Sequence, residues 1–576
     1  MELVRKISGK FNKISRYLSV YAILMLICYF GFEDARMYES IFLASTRVLA
    51  SFGLISLILR YVEQKINWNL WIIFYDLLFA SFFSLIAFDY FNGNEGVNIA
   101  FLILFFVREA SSFRIKYSKI GFNPGQLFII SFIVIILLGG LLLKLPNATT
   151  TNISFVDAFF TSTSAVCVTG LAVQDTQADF TLFGQSIILL LIQIGGLGIM
   201  TFASYFSFFF KGSSSFENRL LFGGMSNQNE LNNVFSSLKS VLALTLILEA
   251  TGIVAIYFSY ASEDFSSINE HVYYSIFHGI SAFNNAGFSL YSDSLYDSHV
   301  LFNYPFQLVI SLLIIFGGLG FPIMQNVVNL FFYRVKLFFS KLFSKQKPIY
   351  RAWIINLNTK IILVTTGVLI LFGTVTISLF EWNGVLEEHG PVGKLVIAFC
   401  GSVSPRTAGF NSYDMQELAL PTILIILFLM WIGASPASTG GGIKTSTFYI
   451  GILTTFSMAR SQDRIEFNNR EVSATTIKRA FVIIFLSILS ICLISFLLIL
   501  LEPGFSPLKL VFECVSAFST AGLSLGITSS LGDYSKLLIM LTMFIGRVST
   551  LTILIALFRQ IKQKSYNYPK EEVLIN

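Results

Sequence analysis

Four short strings in this chain end alike: SAVCVTGL (164–171), SAFNNAGF (281–288), VSPRTAGF (403–410) and SAFSTAGL (516–523). Each carries a triplet closed by glycine: Val168-Thr169-Gly170, Asn285-Ala286-Gly287, Thr407-Ala408-Gly409 and Thr520-Ala521-Gly522. The chemistry open to such triplets belongs to the backbone. Glycine tolerates positive φ, so consecutive carbonyls can point the same way. Four strands of this kind around one axis would present stacked rings of carbonyl oxygens, which replace the hydration shell of a cation. A second glycine follows each triplet glycine by 24 to 30 residues, at Gly195, Gly317, Gly433 and Gly546. Recurrence about every 120 residues marks one structural unit used four times. In a single copy, a run of Ser, Ala and Gly is more often a close-packing face. Four copies in the same setting favour a shared ion path.

The elements that must position these strings are set by composition. The chain has 576 residues, 55% hydrophobic and 12% charged, with a mean hydropathy of +0.72. Soluble domains carry about a quarter charged residues. Apolar runs of about 20 residues recur from end to end, long enough to span a bilayer as helices. They are too long and uniform for the alternating strands of a barrel. The class is therefore an all-α polytopic membrane protein. Residues 1–35 are basic and then apolar, like a signal peptide, but the flank GFEDARMY has no small-residue cleavage site. A retained helix is expected. Five scattered cysteines form no CxxC pair, and four histidines no cluster.

The net charge of +6 matters through its placement, which gives no nucleic-acid signal. Basic clusters occupy 5–16, 108–119 and 559–564, and Arg334, Lys336, Lys341, Lys345, Lys347, Arg351 and Lys360 fall in one stretch. Acidic residues fall elsewhere, at Glu263, Asp264, Glu270, Glu381, Glu387 and Glu388. The positive-inside rule puts the basic clusters, and with them both termini, in the cytoplasm. Four apolar spans precede the first string, at 17–32, 41–61, 70–90 and 97–107.

Each unit then reads as spanning helix, short helix, glycine string and returning helix. The sets are 125–145, 155–165 and 183–210; 240–260, 272–283 and 306–331; 359–380, 393–403 and 422–458; 477–501, 508–518 and 535–558. Helices of about ten residues are too short to cross a core of about 30 Å at 1.5 Å per residue. Each must enter and leave by one face. The expected architecture is four helix–re-entrant loop–helix repeats around a pseudo-fourfold pore, plus about four extra N-terminal transmembrane helices. The boundaries are 1–118 for the extra helices and 119–225, 226–350, 351–470 and 471–576 for the repeats. Each short helix aims the negative end of its dipole at the centre, which favours a cation.

Two features suggest a gate. Residues 433–442, GASPASTGGG, put Gly440, Gly441 and Gly442 plus Pro436 in mid-membrane, where no helix survives them. An irregular segment at that depth should line a cavity, here as a mobile plug below the strings, the rival being a rigid broken helix. Lys444 follows as a gate anchor or a snorkelling residue. Arg547 sits among apolar residues, where a charge needs a cavity or a partner. Asp157 and Glu513, in the first and fourth short helices, are candidates to pair with it or to support the strings.

The strings TAGF (407–410) and TAGL (520–523) resemble the start of the potassium-channel filter TVGYG. QIGGLGIMT (193–201), GGLGFP (317–322), GASPASTGGGIKTSTF (433–448) and FIGRVSTLT (544–552) complete a set that resembles the Trk/Ktr/HKT superfamily of potassium transporters. The resemblance runs from about residue 119 to the C-terminus and is closest to the bacterial membrane subunits of the TrkH/KtrB kind. It implies one filter glycine per repeat, potassium at the filter carbonyls, an intramembrane loop as gate, a homodimer, and a cytosolic nucleotide-binding regulatory ring of the TrkA/KtrA type. In the plant branch a serine at the first glycine goes with sodium preference, so Gly170 implies potassium. Ser549 and Thr550 depart from the Gly-Pro of many relatives, and the first four spans have no counterpart in the minimal plan. One glycine per repeat implies a shorter, less strict filter than a symmetric channel's.

The expected function is potassium uptake across a bacterial inner membrane through a channel-like pore, potassium being cargo, with no organic cofactor. No G-x-x-x-x-G-K-[ST] string occurs, so regulation comes from elsewhere. The basic loop and tail suit a regulatory subunit or membrane lipid. One rival is a symporter coupled to sodium or protons, whose signature would be inverted repeats. An enzyme would need a nucleophile with a base or an H-E-x-x-H set; His278 alone lies in a motif region.

Overall fold

The computed structural model of the chain describes residues 2–32, 39–63, 70–88, 90, 94–110, 124–211, 234–260, 265–343, 355–436, 438–462, 464–467, 470–548 and 553–554. The basic stretches at 111–119, 344–354 and 559–564, residue 437, and Ser549 and Thr550 lie outside them.

Apolar runs form helices as expected. The first four are α1 (Glu2–Gly31), α2 (Glu39–Glu63), α3 (Leu70–Ala87) and α4 (Glu95–Ala110). They bury a core of their own around Tyr29, Leu49, Phe83, Phe101 and Phe105. The C-terminal end of α1 touches the rest of the chain: the Phe30 carbonyl accepts from Asn147 Nδ2 at 3.1 Å, and Phe30 stacks on Phe183.

Four units follow. The first has α5 (Pro124–Leu143), α6 (Phe155–Cys167) and α7 (Leu182–Lys211), and the second α8 (Val234–Ser259), α9 (Ile268–Phe283), α10 (Tyr304–Leu319) and α11 (Phe321–Phe343). The third has α12 (Leu357–Glu381), α13 (Pro391–Val403), α14 (Leu420–Trp431) and α15 (Thr445–Ala459), and the fourth α16 (Ala474–Leu501), α17 (Pro507–Ser519) and α18 (Asp533–Val548). A two-residue hairpin, Glu466–Phe467 with Arg470–Glu471, lies between the third and fourth. By length and composition, five described helices can cross a membrane, or six if α10 and α11 count as one bent span.

The short helices α6, α9, α13 and α17 have 13, 16, 13 and 13 residues, about 20 to 24 Å. Their starts are written locally. Ser154 and Ser267 cap α6 and α9 by accepting from the Asp157 and Glu270 N–H groups, and Pro391 and Pro507 open α13 and α17.

The returning helices differ from the uninterrupted spans expected at 183–210 and 306–331. Gly198 has φ 69° and kinks α7. Gly320, φ 78°, separates α10 from α11, which are bent by 106°. Both glycines close a GGLG string. A positive φ with extended ψ cannot sit inside a helix, and an L side chain there would be strained. The third return breaks over 432–444, as expected from its glycines and proline.

Packing closes the four units in order. Separate apolar clusters join the first to the second around Phe277 and Phe288, the second to the third around Phe306 and Phe410, the third to the fourth around Phe512 and Leu523, and the fourth to the first around Phe160, Leu171 and Ile539. At the last seam Lys536 Nζ meets Asp157 Oδ1 at 2.7 Å with both side chains nearly buried. The outward faces remain apolar and exposed, for example at Phe258, Leu379 and Leu500.

Candidate functional site

The glycine triplets follow the short helices, directly or after one residue in three units and after residues 404–406 in the third, and repeat one pattern of φ. Val168, Asn285, Thr407 and Thr520 have φ of 56°, 59°, 75° and 50°, and Gly170, Gly287, Gly409 and Gly522 have φ of 90°, 72°, 77° and 80°. The residue between them keeps negative φ, so handedness alternates along each triplet. Alternation turns successive carbonyls to one side and N–H groups to the other. The N–H groups are absorbed by the short helices. Thr169, Ala286 and Ala521 donate to the Ser164, Ser281 and Ser516 carbonyls, each at 2.8 Å, and the preceding residues donate to Ala165, Ala282 and Ala517. This double closure ends a helix with a left-handed residue. Among the described residues no protein hydrogen bond ends on the carbonyls of the twelve triplet residues. Val168, Thr407 and Thr520 pay for this with strain, since β-branched residues rarely adopt positive φ, whereas asparagine, as at 285, tolerates it best after glycine.

The third triplet closes differently. Ala408 donates to the Ser404 carbonyl at 3.0 Å, one residue nearer its glycine than in the other units, and Arg406 is turned to Thr366 (Nη2 to Oγ1, 3.4 Å).

The glycines meet. A Cβ built on Gly170 would stand 2.6 Å from the Ala286 carbonyl oxygen and 3.1 Å from Gly287 Cα; on Gly287, 2.7 Å from the Ala408 oxygen and 3.1 Å from Gly409 Cα; on Gly409, 2.9 Å from the Ala521 oxygen and 3.1 Å from Gly522 Cα. A Cβ on Gly522 would strike the Thr169 oxygen and stand 3.1 Å from Gly170 Cα. The order 170–287–409–522 returns to its start. All four glycines are needed because side chains would fill the ring.

The second glycine marks explain themselves. A Cβ on Gly195, Gly317 or Gly546 would collide with the carbonyl of Val166, Phe283 or Phe518, each four residues before a ring glycine. Each returning helix thus lies flush against the end of its short helix. Gly433 faces the Gly441 carbonyl instead.

The segment 432–444 lies against one end of this ring. Gly441 N–H donates to Thr520 Oγ1 at 3.0 Å, and a Cβ on Gly440 would meet Thr407 Oγ1. Ser435 N–H donates to the Gly318 carbonyl at 3.0 Å and Ser435 Oγ to that of Leu319, so the segment docks on the break after α10. Lys444 Nζ donates back to the Gly440 carbonyl at 2.6 Å. Arg547 donates through Nη1 to the Thr439 carbonyl and through Nη2 to that of Gly195. It ties the segment to α7 and pairs with neither Asp157 nor Glu513, because Asp157 is held by Lys536 and Glu513 by Ser524 and Thr528. Asn285 sits with its side-chain amide turned to the Phe283 and Ile314 carbonyls and the Thr439 hydroxyl.

One cluster was not anticipated. Glu249 in α8 accepts from Gln193 Nε2 at 3.0 and 3.1 Å and from Asn284 Nδ2 at 3.0 Å. Asn284 Nδ2 also faces Gln193 Oε1 at 3.0 Å. The carboxylate is buried next to the second triplet, with amide donors and, among the described residues, no cation against it. A lone acid in the apolar run LTLILEATGIV (244–254) was the available signal.

Comparison with known proteins fits this geometry. The profile described as TrkH, cation transport protein, matches residues 95–568, leaving most of α1–α4 outside. Ktr system potassium uptake protein B of Vibrio alginolyticus is 35% identical over 473 residues, covering 80% of this chain and 96% of that one. Ktr system potassium uptake protein D of Bacillus subtilis is 34% identical over 469 residues, covering 80% and 100%. The crystal structure of the potassium transporter TrkH from Vibrio parahaemolyticus superposes with a TM-score of 0.60 at 17% identity, covering 90% of this chain and 98% of that one.

Proposed function

Because the chain belongs to the TrkH cation transport protein family, we propose that it is the potassium-uptake subunit of a bacterial inner membrane and that it works as a channel-like pore. Its quarters are 119–225, 226–350, 351–470 and 471–576, each a helix, a re-entrant short helix with its glycine triplet, and a returning helix. The observation that carries this reading is the closed cycle of four glycines whose triplet carbonyls accept no hydrogen bond from the described residues. Buried carbonyls without donors are costly, and a dehydrated alkali cation on the axis would satisfy them. The four short helices end at this point, so their negative dipole ends add to the attraction.

Potassium loses water at the mouth, passes between the triplets Val168–Gly170, Asn285–Gly287, Thr407–Gly409 and Thr520–Gly522, and meets the 432–444 segment. That segment, with Gly440, Gly441, Gly442, Lys444 and Arg547, is the gate. Thr407 and Thr520 hold it against the filter, and Arg547 places a positive charge on the ion's way out. Opening breaks the bonds to Thr439 and Gly440. The membrane potential, about 2.3 kcal/mol per charge per 100 mV, drives uptake. Relatives named as Ktr system proteins support partners of that system; within this proposal the assembly is a homodimer on a cytosolic nucleotide-binding ring, and the basic clusters put both termini in the cytoplasm.

The test is flux in proteoliposomes under opposed gradients. Potassium current that reverses at the potassium equilibrium potential, whatever the sodium and proton gradients, is expected. A second reading, symport with sodium or protons, is favoured by one observation: the buried Glu249 carboxylate with no cation against it among the described residues. A reversal point that moves with the proton or sodium gradient would select that reading.

A further inference from the structure

Nine residues before the ring glycine, two of the short helices carry a buried ionisable side chain. His278 precedes Gly287 in α9 and Glu513 precedes Gly522 in α17; both are fully buried. Neither is used by the pore geometry above, and the two are built into their units in the same way. His278 Nδ1 donates to the Tyr274 carbonyl at 2.9 Å, which leaves Nε2 as an acceptor. Onto Nε2 come Ser289 Oγ at 3.1 Å and the Leu290 N–H at 3.3 Å. Glu513 accepts from Ser524 Oγ and, at 3.0 Å, from Thr528 Oγ1, with the Leu525 N–H as a third donor. Ser289 and Ser524 lie two residues beyond their glycines, Leu290 and Leu525 three. Each serine oxygen also accepts the N–H two residues on, from Tyr291 at 3.0 Å and Gly526 at 2.9 Å.

The other two units lack the device. At the same offset stand Thr161, whose hydroxyl donates to the Asp157 carbonyl of its own helix, and Cys400, which contacts Ser311 and the Gln307 carbonyl of α10. The residues two beyond the glycines there are Ala172 and Asn411. In the cyclic order of the ring, the second and fourth units face each other.

We propose that His278 and Glu513 are positioning residues: from opposite sides they hold the strands leaving the filter, and so fix the ring's width and its preference for potassium over sodium. This rests on the filter reading. Neither side chain need touch the ion, because each acts through the serine and leucine that follow its glycine. Without the acceptor, the Ser and Leu donors are orphaned in a buried site and the strand relaxes. A wider or looser ring fits sodium's hydrated form and potassium's bare form with less distinction.

The experiment measures the potassium-to-sodium flux ratio of the full-length protein in proteoliposomes. His278→Leu and Glu513→Leu are expected to lower the ratio about tenfold, the factor that corresponds to about 1.4 kcal/mol, the scale of a lost hydrogen bond, while sodium flux persists. His278→Gln and Glu513→Gln keep an acceptor and should restore the ratio to within about threefold of wild type. Thr161→Val should leave it unchanged. If the leucine variants do not fold, Ser289→Ala and Ser524→Ala remove the donors instead. Loss from Ser524→Ala that Glu513→Gln does not deepen supports the device; a wild-type ratio from both alanine variants overturns it. A wild-type ratio in folded leucine variants, beside a Gly409→Ser that loses it, overturns the positioning role alone. A wild-type ratio in Gly409→Ser as well overturns the filter reading with it.

Discussion

Gly409→Ser isolates the ring. Gly409 has φ 77°, and its Cβ would stand 2.9 Å from the Ala521 oxygen, 3.1 Å from Gly522 Cα and 3.3 Å from Gly287 Cα. Three backbone atoms of two strands close on that point, so no flexible side chain can give way. Positive φ alone costs a non-glycine residue about 1 to 3 kcal/mol, and the crowding adds to it. The fourth strand must shift by a few tenths of an ångström or the triplet must leave its alternating conformation. At about 1.4 kcal/mol per tenfold, the strain predicts a potassium-selective population smaller by roughly 5- to 150-fold. The variant should still fold, because the apolar side chains that join the units, around Phe306, Phe410, Phe512 and Leu523, are all retained. The assays are growth of a potassium-uptake-deficient bacterium on low potassium and rubidium flux against sodium in vesicles. Gly367→Ala is the control, since nothing lies within 4 Å of its Cβ. Equal rescue and equal selectivity by Gly409→Ser and wild type would refute the claim that these four glycines form the path.

Other predictions rest on separate contacts. Arg547→Gln loses the charge that ties the Thr439 carbonyl to the Gly195 carbonyl; basal potassium flux without a regulatory subunit should rise severalfold, and a drop or no change in a folded variant rejects the latch. Deleting 438–442 should act in the same direction and more strongly. Lys536→Met or Asp157→Leu leaves one nearly buried charge unpaired and should cost about 3 to 5 kcal/mol, read as a lower melting temperature in detergent, whereas the double variant should recover most of it. Glu249→Gln keeps one oxygen for the Gln193 and Asn284 donors and should leave the reversal potential at the potassium equilibrium value; a shift in proton or sodium coupling would instead assign the carboxylate to symport.

Much of this was legible in the sequence because it recurs. The triplets, the short helices before them and the second glycines each appear four times, and a feature seen four times needs no contact map. Gly195, Gly317 and Gly546 could be read as marks, though their reason, a carbonyl at the end of the short helix, is visible only in three dimensions. The bends at Gly198 and Gly320 were hidden because a lone glycine in an apolar run is compatible with a helix; the sign of φ is set by what packs around it. Partner choice was the least legible. Arg547 was recognisable as a charge in need of company, but carbonyls at helix breaks serve a guanidinium as well as a carboxylate does, and carbonyls are present everywhere in a sequence. The same blindness hid Glu249, whose company is two amides from other helices.

The departures from fourfold likeness carry the last step. A ring of identical strands would bind the gate equally on all sides, and nothing would tell the segment where to lie. Here Thr407 and Thr520, from the third and fourth units, meet Gly440 and Gly441, while the first unit offers Val168, which has no hydroxyl, at the same place. The segment therefore bonds to the fourth strand through Thr520 and to the second through Asn285, rests against the third at Thr407, and meets no hydroxyl on the first. Replacing Val168 with threonine supplies the missing hydroxyl, with nearly the same volume, in the same left-handed conformation that Thr407 and Thr520 already hold. If hydroxyl placement sets the segment's seat, Val168→Thr should strengthen the closed state and lower basal flux, whereas Thr520→Val should loosen it and raise flux. Changes of the same sign in the two variants would show that the hydroxyls do not seat the gate.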